Sequence, residues 1–191
     1  MWIILIICRW SGIMKEATVG SMRAKVPAAV AAAFLSFFPF SGNSFCYYFL
    51  SVSPSCSIGS MVFLCIVLWP CLSGKALLAP VDFLLFSLWN VVLYLGLLAS
   101  TLGFVTLDLY ALGYHFSYLF AAVAALTLLL VFLRSPLAFI FILYIAAFDL
   151  RLLPSANFFD YMTDSMLFIL SLGYVAHRTL SLFYRPASPS V

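Results

Sequence analysis

A chain of 191 residues that is 66% apolar and only 8% charged cannot build a water-facing surface, because soluble domains carry roughly 25% charged residues. A mean hydropathy of +1.19 points to lipid instead, and nine scattered basic residues with a net charge of +3 form no stripe for nucleic acid. The composition predicts an all-α fold, a polytopic transmembrane helix bundle of about six spans, since helices satisfy their own backbone within lipid.

In chain order, residues 1–25 read as a basic N-terminal segment, interfacial or targeting: the apolar start is too short to span, and Arg9 follows it rather than precedes it. Arg23 and Lys25 then introduce an apolar run that breaks at Ser41, Gly42, Asn43 and Ser44, with no cleavage site behind it. A retained, interrupted first helix is expected over 27–51. Further apolar segments lie at 57–73, 81–107, 112–133, 136–153 and 158–179, with Pro54, Pro80, Pro136 and Pro154 at or near their ends. The bundle therefore occupies 26–185, followed by a short polar tail at 186–191.

Basic residues are retained on the cytoplasmic or equivalent side. Six spans with both termini inside put Arg9, Lys15, Arg23, Lys25, Lys75, Arg134, Arg178 and Arg185 inside and only Arg151 outside. Small residues four apart predict helix packing faces: Gly96 with Ser100 and Ala99 with Gly103 on the third segment, and Ser117, Ala121 and Ala125 on the fourth. These two helices are expected to touch.

The same topology gathers Asp108, His115, Asp149, Arg151, Asp160 and Asp164 toward the outer end. Asp160 and Asp164, four apart, are expected on one helix face, with Asp164 about 10 Å below the helix start. Three readings stand side by side. The cluster is a proton or cation entry site, or it takes the polar head of a lipid or quinone beside Tyr110, Tyr114, Tyr118 and Tyr161. In the plainest reading the carboxylates favour a positive helix N-terminus, Arg151 pairs with them, and the tyrosines form an aromatic belt. Asp82 reads as a first-turn acid after Pro80, and Asn90 as a hydrogen-bonding residue toward a neighbouring helix. His177, beside Arg178, reads as a cation at an inner helix end.

Cys46 and Cys56 approach one outer connection, where a disulfide would close a short loop in an oxidising compartment. No C-x-x-C spacing, Ser-His-Asp order, phosphate-cradling glycine loop or H-E-x-x-H occurs, so no metal or other cofactor is assigned and a non-enzymatic role is expected.

Leu133-Arg134-Ser135-Pro136-Leu137, and Arg151-Leu152-Leu153-Pro154 followed by Asp160 and Asp164, resemble the two turns of the DoxX-like and vitamin-K-carboxylase-type four-helix membrane domains. The resemblance covers 81–185 and departs from the family at Phe158 and Phe159, where a Gly-Gly pair is usual. It implies a small inner-membrane accessory protein linked to redox or electron-transport systems, whose redox version would need a bound quinone or haem. The residues themselves favour an accessory or assembly subunit of a larger membrane complex, with the bilayer and other membrane subunits as partners; a small proton- or ion-coupled carrier is the alternative. A bacterial inner membrane is the first choice, while the basic, alanine-rich stretch 22–36 keeps an organellar membrane in view.

Overall fold

The computed structural model describes residues 39–40, 43–44, 47, 56–114 and 118–183. Among them the architecture is all-α: helices α1 (Ile58–Ser73), α2 (Pro80–Thr101), α3 (Tyr118–Phe132), α4 (Leu137–Asp149), the single turn α5 (Phe159–Met162) and α6 (Ser165–Phe183). A 3-10 turn, Tyr110–Gly113, interrupts the connection between α2 and α3. The tight antiparallel pair Pro39–Phe40 with Asn43–Ser44 sits where the sequence breaks its first apolar run. The remainder of 27–51, residues 1–25, the tail 186–191, His115, Ser117 and Cys46 lie outside the described residues.

Local chemistry sets the helix ends. Ser57 caps α1, its hydroxyl accepting the Ser60 N–H at 3.0 Å, and Gly74 ends the helix at φ 74°. Pro80 opens α2, where its missing N–H costs nothing, and Asp82 lies in the first turn. The helices α2, α3 and α4 all end in one motif. Phe104 N–H reaches Ala99 O at 2.9 Å, Ser135 N–H reaches Leu130 O at 2.9 Å and Leu152 N–H reaches Ala147 O at 3.0 Å. The left-handed residue is Gly103 in the first case, but Arg134 and Arg151 in the others, at φ 53° and 51°.

Aromatic contacts fix the packing. Phe83 meets Tyr174 at 4.4 Å and Tyr94 stacks on Phe168 at 4.5 Å, so α2 and α6 run antiparallel along each other. Phe63 of α1 reaches Phe83 at 5.0 Å, and Trp89 meets Phe141 of α4 at 5.4 Å. The core these contacts enclose includes Phe63, Phe86, Tyr144, Phe158, Tyr161, Met162 and Leu167.

The expected partnership of α2 with α3 is not the main packing of either helix. The main neighbour of α2 is α6, and that of α3 is α4. Ala121 and Ala125 are exposed, while Val123 and Thr127 form the buried side of α3. Gly96 faces Leu109, and Ser100 donates to Leu107 O at 2.7 Å and accepts Leu109 N–H at 3.0 Å. The chain leaving α2 thus folds back over the stripe Gly96 and Ser100 that a second helix was expected to occupy. Gly103 is a cap and not a packing residue. Asn90, fully buried, donates to Phe86 O of its own helix at 2.7 Å instead of to a neighbour.

Candidate functional site

The connection between α4 and α6 folds into a knot of short hydrogen bonds. Tyr161, fully buried, donates to Leu153 O at 2.8 Å and accepts Leu153 N–H at 3.2 Å, which pins α5 under the end of α4. Asn157, also fully buried, donates to Tyr110 O at 2.9 Å and accepts Phe159 N–H at 2.9 Å. Phe158 N–H reaches Gly113 O at 2.8 Å. A side chain at Gly113 would collide with Asn157 Oδ1, so the close approach of the 3-10 turn requires glycine there.

On this platform stand two carboxylates. Asp160 accepts the Tyr110 hydroxyl at 2.9 Å and the Ser155 hydroxyl at 2.5 Å. Asp164 accepts Leu167 N–H at 2.7 Å, which caps α6. It also accepts Ser57 N–H at 2.6 Å and the Ser60 hydroxyl at 2.8 Å, both from the start of α1. One carboxylate therefore serves the N-termini of two helices, where both helix dipoles favour negative charge. Gly59 permits that approach: a side chain there would collide with the Met162 carbonyl and come within 2.6 Å of Leu167 Cδ2.

Both carboxylates border one partly open cleft of about 350 Å³. Asp160, Thr163, Asp164 and Ser165 supply one polar side; Tyr94, Leu97, Leu98 and Thr101 of α2, with Tyr110 and Phe159, supply the rest. Thr163 is 6% exposed, and its buried Oγ1 has no hydrogen-bond partner. Burial, then the hydrogen bond to Asp160 and its charge, push the Tyr110 phenol up. Burial, and then the charge of Asp164, push the Cys56 thiol up.

The expectation of one shared helix face for Asp160 and Asp164 is corrected. Thr163 is extended, at φ −144° and ψ 153°, and separates α5 from α6. Asp160 belongs to the first, and Asp164 lies at the start of the second, not a turn or two within it. They meet at the cleft through this break.

Of the other candidates, Asp108 is exposed and caps the 3-10 turn through Ala111 N–H at 3.1 Å. Asp149 ends α4, exposed, and Arg151 is exposed in its left-handed cap, taking no part in the partner set of either carboxylate. Tyr118 points outward, 91% exposed. Cys56 is a free thiol, and its expected partner Cys46 lies outside the described residues. Among the described residues no group of three or more His, Cys, Asp or Glu could hold a metal ion.

Sequence reasoning missed Ser57, Ser60, Asn157 and Thr163. Ser57 and Ser60, ahead of an apolar run, carried a readable capping signal; the two loop residues carried none.

The class defined by these features is an all-helical bundle in which, among the described residues, one helix, Pro80–Thr101, is long and apolar enough to cross a membrane. No family model, no curated protein and no solved structure matches the chain.

Proposed function

We propose that the chain is a polytopic membrane bundle acting as an accessory, structural or assembly subunit of a larger membrane complex. The observation that carries this reading is the exposure of its longest apolar helix, α2. Only 28% of the most hydrophobic window of α2 is buried, whereas the core helix of a water-soluble protein would be covered by its neighbours. Val92, Phe132 and Phe139 are 68%, 84% and 77% exposed on three different helices, an outer surface suited to acyl chains or to other membrane helices.

Charge placement supports the same reading. The helices α1, α2, α3, α4 and α6 alternate in direction, which sorts Lys75, Arg134 and Arg178 to one end. Asp108, Asp149, Asp160 and Asp164 go to the other, with Arg151 and, at the basic end, Asp82 as the exceptions among the described residues. Under this proposal the helices make five crossings, with 27–51 as the sixth and the basic end cytoplasmic. At 1.5 Å per residue α2 covers about 33 Å, a full hydrocarbon core, while α4, with 13 residues, covers about 20 Å and needs its apolar flanks or local thinning.

A carrier that cycles protons on Asp164 is the weaker alternative, because helix-start donors already occupy that carboxylate. Purification of the tagged chain from its native membrane in mild detergent, with mass spectrometry of what elutes, tests the proposal. A stoichiometric set of membrane proteins is expected. Elution of the chain alone, together with transport activity in vesicles, would establish the carrier instead.

A further inference from the structure

We propose that the projecting end of α6, centred on Arg178, docks on the anionic headgroups of a phospholipid leaflet. This rests on the membrane reading above and adds the class of lipid met at the basic end. The first observation is the length of α6 beside its neighbour. Phe83 and Tyr174 are in ring contact at 4.4 Å, so α2 and α6 share a level there. From Tyr174, α6 runs on to Phe183, about 13 Å, while α2 has only about 5 Å left before it begins at Pro80. The last turns of α6 therefore project beyond α2, and residues 176–181 and Phe183 are all exposed.

The two sides of this projection differ in chemistry. One continues the outward stripe Ile169, Leu172, Ala176, Leu180 and Phe183, exposed residues spaced by three or four. The other extends the line of Leu170, Ser171 and Tyr174, which packs into the bundle, and past α2 that line becomes His177, Arg178 and Ser181. An apolar stripe that outlasts the bundle needs hydrocarbon beside it, and a polar stripe at the same level needs headgroups or water. Both conditions hold at the boundary between acyl chains and headgroups.

Charge selects the kind of headgroup. No Asp or Glu follows Asp164 in the sequence, and the Arg178 guanidinium has no ion-pair partner among the described residues. Lys75 lies in the exposed connection that leads into α2 at the same end. A guanidinium takes two phosphate oxygens at once, and a basic residue at an anionic leaflet gains an attraction that a zwitterionic leaflet does not offer.

Native mass spectrometry of the full chain in neutral detergent, with phosphatidylglycerol and phosphatidylcholine in equal amounts, tests the docking. It should show about fivefold preference for the anionic lipid, the worth of one basic residue at such a surface. Arg178→Gln, at an exposed position, should bring the ratio near one, as should raised salt. Arg134→Gly, at the same end but on the turn between α3 and α4, should leave the preference unchanged, which separates a site on α6 from a general excess of positive charge. A ratio near one in the wild type, as an acidic protein partner for this end would give, overturns the docking. So does a preference that survives Arg178→Gln, or an equal loss in Arg134→Gly. Flotation with vesicles of each lipid separates the docking from the reading beneath it. A chain that floats with both and prefers neither refutes the docking alone, and one that floats with neither refutes the membrane reading.

Discussion

Ser57 and Asp164 lie 107 positions apart in the chain, yet the Ser57 N–H reaches the Asp164 carboxylate at 2.6 Å. Their contact ties the first described helix to the last. It leads to the first prediction. Asp164→Ala removes a cap from α6 and the acceptor for two groups of α1, and it should cost about 3 kcal/mol, within the range for leaving buried donors unsatisfied. Asp164→Asn keeps one acceptor oxygen and should cost about half as much. Thermal unfolding in detergent measures both. A variant that unfolds at the wild-type temperature would remove the structural role and restore Asp164 as a candidate for proton traffic.

Gly59 makes that contact sterically feasible, since an added Cβ would meet Leu167 Cδ2 at 2.6 Å and Tyr144 Oη at 3.0 Å, besides colliding with the Met162 carbonyl. Gly59→Ala should therefore destabilise by about 2 kcal/mol, as overpacking does, although alanine is the better helix former by about 1 kcal/mol. The same substitution at Gly96, where the nearest atom is Leu109 Cδ1 at 3.8 Å, should stabilise slightly. Opposite signs at the two glycines, read as unfolding midpoints, check which of them is a close approach.

This pair of glycines also shows where the sequence was legible. Apolar run length marked α1, α2, α3 and α4, because backbone satisfaction in a long apolar run leaves helix as the only choice. The spacing of Gly96 and Ser100 marked a small-residue face without naming what covers it, and the covering element proved to be the loop carrying Leu109. Asp160 and Asp164 were legible as one neighbourhood. Their true relation depends on Thr163 turning extended between two helices, a choice fixed by buried Asn157 and Tyr161 and not by any local period. Arg151 looked like the obvious counter-ion because charge can be counted in a sequence and direction cannot.

Tyr110 yields a dependence on pH. Its phenol is pushed up by burial and by Asp160, so the neutral form is favoured in the folded chain. Stability from this group is present below the unfolded tyrosine value of about 10 and is lost as pH rises toward the folded value. Tyr110→Phe should cost about 1 kcal/mol at neutral pH through the lost hydrogen bond. The gap between the two proteins should then narrow above pH of about 10. A gap that widens with alkalinity would contradict the assignment.

The three shared helix ends give the last test. Gly103 adopts φ 77° with open space where a Cβ would point, so Gly103→Ala should cost about 1 kcal/mol from backbone strain alone. Arg134 and Arg151 already bear that strain at φ 53° and 51°. Arg→Gly at either position relieves about 1 kcal/mol of it and gives up about 0.5 kcal/mol of favourable charge at a helix C-terminus. Both variants should unfold at or slightly above the wild-type temperature. The outcome for Arg151 discriminates sharply. If its guanidinium were the counter-ion of Asp160 or Asp164, its loss would strand a half-buried carboxylate and lower stability by about 3 kcal/mol. In the structure the carboxylates are held by hydroxyls and helix N–H groups instead, so Arg151→Gly should leave them undisturbed.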